Sequence, residues 1–148
     1  MDFAHRQIAG MKMCLNHSQA GIEESLAELE VDFRACVDHP HQHSLHIKLI
    51  EHLVSFRWVL DQHFTRVAGE GYLENVASMR PGMYLELREI ECRQCQVIDD
   101  LDALIRSVRS CDLRREAFAE LLVEFERLHA AILDEESLER SLVEKGLA

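Results

Sequence analysis

The chain is short of the residues that break helices: it holds two prolines in 148 residues, Pro40 and Pro81. Proline ends or kinks a helix, so the three stretches before, between and after these positions are open to long helices. Period-2 alternation of the strand kind is nearly absent, which excludes a sheet-built fold. Positive charge is also scarce. Sixteen Lys and Arg face 27 Asp and Glu, a net charge of -11 with histidines neutral. That deficit argues against nucleic acid and anionic membrane as partners, since both demand a basic surface. No segment approaches the roughly 20 apolar residues that a membrane span needs. The first residues, "MDFAHRQIAGMKMCLNH", are too polar for a secretory signal. The five cysteines are odd in number; without export they read as reduced thiols in a cytoplasmic protein. A Ser-His-Asp order, a phosphate-binding glycine loop and a nucleotide fingerprint are all missing.

What is present suits a single globular domain over residues 1–148: 47% of residues are hydrophobic and 29% charged. Helical periodicity predicts four long helices at about 12–37, 41–67, 82–110 and 113–145. The first buries Leu15, Ile22, Leu26, Leu29, Phe33 and Cys36 and ends at Pro40. The second carries a seam at Leu49, Leu53, Phe56, Leu60, His63 and Val67, stopped by "AGEG". Pro81 suits the first turn of the third, whose seam is Leu87, Ile90, Gln94, Val97, Leu101, Leu104 and Val108. Asp112 is placed to cap the fourth. Its buried side reads Phe118, Leu122, Phe125, His129, Ile132, Glu136 and Val143, with Leu121 and Leu128 flanking. Four such helices with mostly short connections predict an all-α, up-down-up-down four-helix bundle.

The seams are interrupted by polar residues. At ~1.5 Å of rise per residue, His63, Gln94, His129, Asp134, His17 and Gln19 fall within one zone, roughly 24–33 Å from the common end. Buried polar groups need partners. Two readings follow: a structural hydrogen-bond network, or a metal ion held by imidazole and carboxylate from facing helices.

The stretches "LDQHFTRVAGEGYLENVASMRP" and "LHAAILDEESL" resemble hemerythrin-like (HHE cation-binding) domains, and the likeness runs over nearly the full length. The resemblance implies a four-helix bundle whose histidines and carboxylates bind two irons and react with dioxygen or related small molecules. It points to His63, His129 and Asp134 as metal ligands, with His17 near the position expected on the first helix. Val67 stands where a carboxylate is expected, and Gln94 (or Cys92, with the register shifted by two) where a histidine is expected. The expected outcome is a reduced site, with one Fe or Zn ion rather than two, or an empty, diverged one.

Elsewhere, "CVDHPHQHSLH" gathers Cys36, His39, His41, His43 and His46 at the other end of the bundle. His39, His43 and His46 are secondary surface-metal candidates beside the alternative of a solvated loop, and His46 is placed to cap the core. The CxxC of Cys92 and Cys95 lies inside a helical pattern, which suits packing better than a redox pair or zinc knuckle. Trp58 sits off its seam as packing or a subunit contact. The functional expectation is a hemerythrin-like protein that binds a metal ion or small ligand for sensing or storage. The alternative is a metal-free interaction or regulatory bundle with a protein partner or a second copy. Enzymatic chemistry is the weakest of the three readings.

Overall fold

The computed structural model describes residues 3–69, 72–78 and 82–147, and every regular element among them is a helix. The elements are α1 (Phe3–Asp38), α2 (His43–Phe64), a π-helical segment (Thr65–Gly69), α3 (Tyr72–Ser78), α4 (Met83–Ser110) and α5 (Arg115–Leu147). The long helices pack in a closed ring: α1 against α2, α2 against α4, α4 against α5, and α5 back against α1.

Each long helix packs through a stripe spaced alternately by three and four residues, which keeps one face toward its neighbours. On α1 the buried residues are Leu15, Gln19, Ile22, Leu26, Leu29, Phe33 and Cys36. On α2 they are His46, Leu49, Leu53, Phe56, Leu60 and His63, and the same rhythm reaches Val67 in the π segment. On α4 they run from Met83 through Leu87, Ile90, Gln94, Val97, Leu101 and Leu104 to Val108. Phe33 and Phe125 stack across the centre with ring centroids 4.9 Å apart.

On α5 the stripe differs from the expected one. The residues that bury are Phe118, Leu121, Phe125, Leu128, Ile132, Glu135, Glu139 and Leu142, together with the expected Glu136 and Val143. Leu122 and His129 are only half-buried. Phe118, Phe125 and Ile132 belong to both phases, and docking against α1 and α4 turns Leu121 and Leu128 inward.

The helix ends also differ. α1 starts well before residue 12. α5 starts at Arg115, so Asp112 is not its cap; it lies in the preceding turn, where its carbonyl accepts the Arg114 N–H at 2.8 Å. α2 passes into a π turn, and the expected loop to α4 contains the extra helix α3. The reason is local: Leu73, Val76 and Ala77 put an apolar face on one turn, and all three are fully buried. They close a second core cluster with Met11, Leu15, Val67, Met83, Leu87, Ile90, Leu142 and Val143. Gly82 precedes α4 with φ 92, a left-handed conformation that glycine adopts without strain. Pro81 and residues 70 and 71 of the "GEGYL" turn lie outside the described residues.

At the far end, His46 Nε2–H donates to the Val108 carbonyl at 2.6 Å, with Cys111 Sγ 3.9 Å away. His46 thus caps the core there. Burial first, then Asp32 and Cys111, pushes the neighbouring Cys36 thiol up to about 11. Cys92 and Cys95 do not pack in the core; both are exposed free thiols, because they flank the Ile90–Gln94–Val97 stripe on its outer side.

Candidate metal centre

All four stripes become polar at the same level. α1 supplies Gln19 with Ser18 beside it, α2 His63, α4 Gln94, and α5 Glu135 and Glu139. In each stripe the flanking residues belong to different cores. Ile22, Leu60, Val97 and Ile132 lie in the main cluster, and Leu15, Val67, Ile90 and Leu142 in the second.

His63 is the hub. Its Nε2 lies 2.8 Å from Glu139 Oε1 and its Nδ1 2.6 Å from Ser18 Oγ. Gln19 Nε2 donates to the same Glu139 oxygen at 3.1 Å and to the Glu136 carbonyl at 3.0 Å. Arg140 in turn donates to Gln19 Oε1 at 2.7 Å and fixes the orientation of that amide. Ligand atoms of His63, Glu135 and Glu139 all lie within 4.8 Å of one another, and all three residues are buried. The π segment begins two residues after His63, a deviation often found beside functional sites.

The two carboxylates are unequal. Burial, and then Glu139, raise the Glu135 carboxyl well above the usual range, with Gln94 pulling weakly the other way. Burial also pushes Glu139 up, but Glu135, His63 and Gln19 beside it outweigh that and hold its carboxyl below the usual range. Both Glu135 oxygens, Glu139 Oε2 and Gln94 Nε2 are buried without a hydrogen-bond partner at ordinary geometry. Glu136 is buried on the adjoining face, and burial, Glu23 and Glu139 raise its carboxyl to about 8 against the pull of Arg140.

Of the residues expected at the site, His63 and Gln94 are buried in this layer. His17 is exposed, one residue before Ser18 and so turned away from the core. His129 is half-buried beside Phe125, with ring centroids 5.9 Å apart. Asp134 is exposed, one residue before Glu135. Among the described residues, the one group of three or more metal-ligating side chains this close together contains neither His129 nor Asp134. His39 and His43 are exposed in the joint between α1 and α2. Val67, where the family resemblance calls for a carboxylate, is buried in the second apolar cluster.

Glu135 and Glu139 are the residues that sequence reasoning missed. The signal for them was present in the three-four rhythm through Phe118, Leu121, Phe125, Leu128 and Ile132, which lands on 135, 139 and 142 when continued. No protein-family model matches this chain, and neither a curated protein nor a solved structure matches it.

Proposed function

We propose that this chain is a hemerythrin-like metal-binding protein. In this reading α1, α2, α4 and α5 form an up-down-up-down bundle that holds one divalent transition ion for storage or sensing. His63, Glu135 and Glu139 are the ligands. The observation that carries the reading is the set of orphaned oxygens: two buried carboxylates offer three unpartnered oxygen atoms beside an imidazole. Each buried unpaired charge costs several kcal/mol, and a divalent cation would neutralise both carboxylates.

The donor set fits such an ion. Imidazole with carboxylate suits Fe²⁺ or Zn²⁺. Donors sharing an ion at about 2.1 Å lie roughly 3–4 Å apart, compatible with a cluster whose atoms lie within 4.8 Å. Ser18 can accept from Nδ1–H, which leaves the Nε2 lone pair toward the carboxylates; such a partner on the second nitrogen is typical of metal-bound histidine. One imidazole and two carboxylates suffice for one ion and fall short of two. The carboxylates come from α5, in place of the one absent at Val67.

The second reading is a metal-free interaction bundle. The continuous Arg140–Gln19–Glu139–His63–Ser18 network supports it, because a satisfied polar chain serves structure by itself. Untagged protein from iron- and zinc-supplemented culture, assayed by elemental analysis, separates the two. Glu135→Gln and Glu139→Gln keep shape and hydrogen bonding while removing charge. About one equivalent of metal in the parent, lost in either variant, is the expected result. No metal in the parent, and no uptake from micromolar free Zn²⁺ or Fe²⁺, would overturn the reading.

A further inference from the structure

The face that α2 and α4 present to solvent at the level of His63 has a composition of its own. A groove of ≈ 540 Å³ opens there, between Asp61 and Phe64 on one side and Glu91, Gln94, Ile98 and Asp99 on the other. Its lining includes three carboxylates and no lysine or arginine. Arg57 approaches Asp61 only at 3.9 Å and is committed to Asp102 by a hydrogen bond of 3.0 Å, while Arg88 lines the adjoining groove with Glu91 and Asp99. The Glu91 and Asp99 carboxylates have no ion-pair partner among the described residues.

The inner wall of the groove is the second observation. Gln94 lines it, yet is only 7% exposed, and its Nε2 has no partner. In the α4 stripe it sits at the polar level, flanked by Ile90 and Val97, the level that Glu135 and Glu139 occupy on α5. Gln94 therefore belongs both to the wall of the open groove and to the polar layer that holds His63, Glu135 and Glu139. A leucine at 94 would continue the apolar stripe of α4 and seal this wall. A glutamine leaves an amide in it, and an amide oxygen can replace a water in the shell of a cation.

We infer that this acidic groove is the loading route of the buried centre. Asp61, Glu91 and Asp99 gather a hydrated divalent cation at the mouth, and Gln94 is the polar step through which it passes to Glu135. The inference rests on the metal-binding reading above and adds to it where the ion comes in. A mouth lined by one sign of charge raises the local concentration of the opposite ion and its on-rate by about 10–10³-fold at low salt. The gain shrinks as the Debye length falls below the width of the groove.

The test is kinetic, on the full chain stripped with a chelator and mixed with Co²⁺ in a stopped-flow spectrometer. The Asp61→Asn/Glu91→Gln/Asp99→Asn variant is expected to load about tenfold more slowly at low salt, with most of the salt dependence gone. It should reach the same final stoichiometry. A control, Asp38→Asn/Glu51→Gln/Glu120→Gln, removes the same net charge from exposed positions outside the groove and should load at the parent rate. Gln94→Leu should slow loading of a protein whose mouth is intact. If the groove variant loads at the parent rate and to full stoichiometry, the route is wrong and the centre stands. If the parent takes up no Co²⁺, the centre itself falls and the route with it.

Discussion

Glu136 is the residue whose environment and charge disagree most openly. It is buried beside Glu23 and Glu139, both of its oxygens lack partners, and its carboxyl is raised to about 8. An acid with a raised folded-state value favours folding only while it is protonated. In metal-free protein its contribution is complete below the unfolded value near 4.5 and is lost as the pH climbs through about 8. Glu136→Gln is accordingly expected to match the parent at pH 5 and to exceed it at pH 9 by about 1–3 kcal/mol in denaturant melts. Equal stability at both pH values would mean that Glu136 ionises freely in a wetter site than the packing indicates. Glu139, one turn away, has the opposite fate, because His63 and Gln19 donate to it and nothing equivalent reaches Glu136. Neighbouring carboxylates on one helix thus differ by the partners that α1 and α2 bring to them.

At the scale of the element, α5 decides which of those residues meet. Its sequence is compatible with two stripes, one through Leu122 and His129 and one through Leu121 and Leu128, since Phe118, Phe125 and Ile132 serve both. A step of one residue rotates a side chain by about 100°, so the choice exchanges His129 for Leu128 at the core. Adjacent substitutions report the phase directly. Leu128→Ala removes a side chain that is 4% exposed and is expected to cost about 2–5 kcal/mol. His129→Ala should cost less than about 1 kcal/mol and leave metal stoichiometry unchanged. A large loss of stability or of metal with His129→Ala would restore the other phase. On α1 and α4 the residues beside the stripe are mostly polar or charged, and on α2 the unbroken three-four spacing marks the stripe although Leu45, Ile47, Ile50, Val54 and Val59 lie beside it. There the buried faces, and with them the positions of His63 and Gln94, were legible from spacing alone. The short helix α3 was not, because a seven-residue helix is too brief to set up a period.

For the molecule as a whole, the polar layer divides one apolar interior into two clusters. Replacing buried ionic groups by apolar residues of similar size is often neutral or stabilising by about 1–4 kcal/mol. The triple variant His63→Leu/Glu135→Leu/Glu139→Leu should therefore join the two cores, raise the melting temperature of the metal-free protein and bind no metal. Such a result would mean that the layer is kept at a cost to stability, as a binding site is. A lowered melting temperature would instead favour the layer as a structural network. No helix among the described residues is long and apolar enough to cross a membrane.

By itself the sequence determined the four long helices, because sustained three-four spacing and the near absence of proline leave the backbone no other regular form that buries its apolar side chains. It also determined that each of those helices carries a polar residue in its stripe. Only the tertiary structure decided which polar residues face one another. Burial on α5 is settled by packing against α1 and α4, and that packing set Glu135 and Glu139 against His63 and turned Asp134 outward.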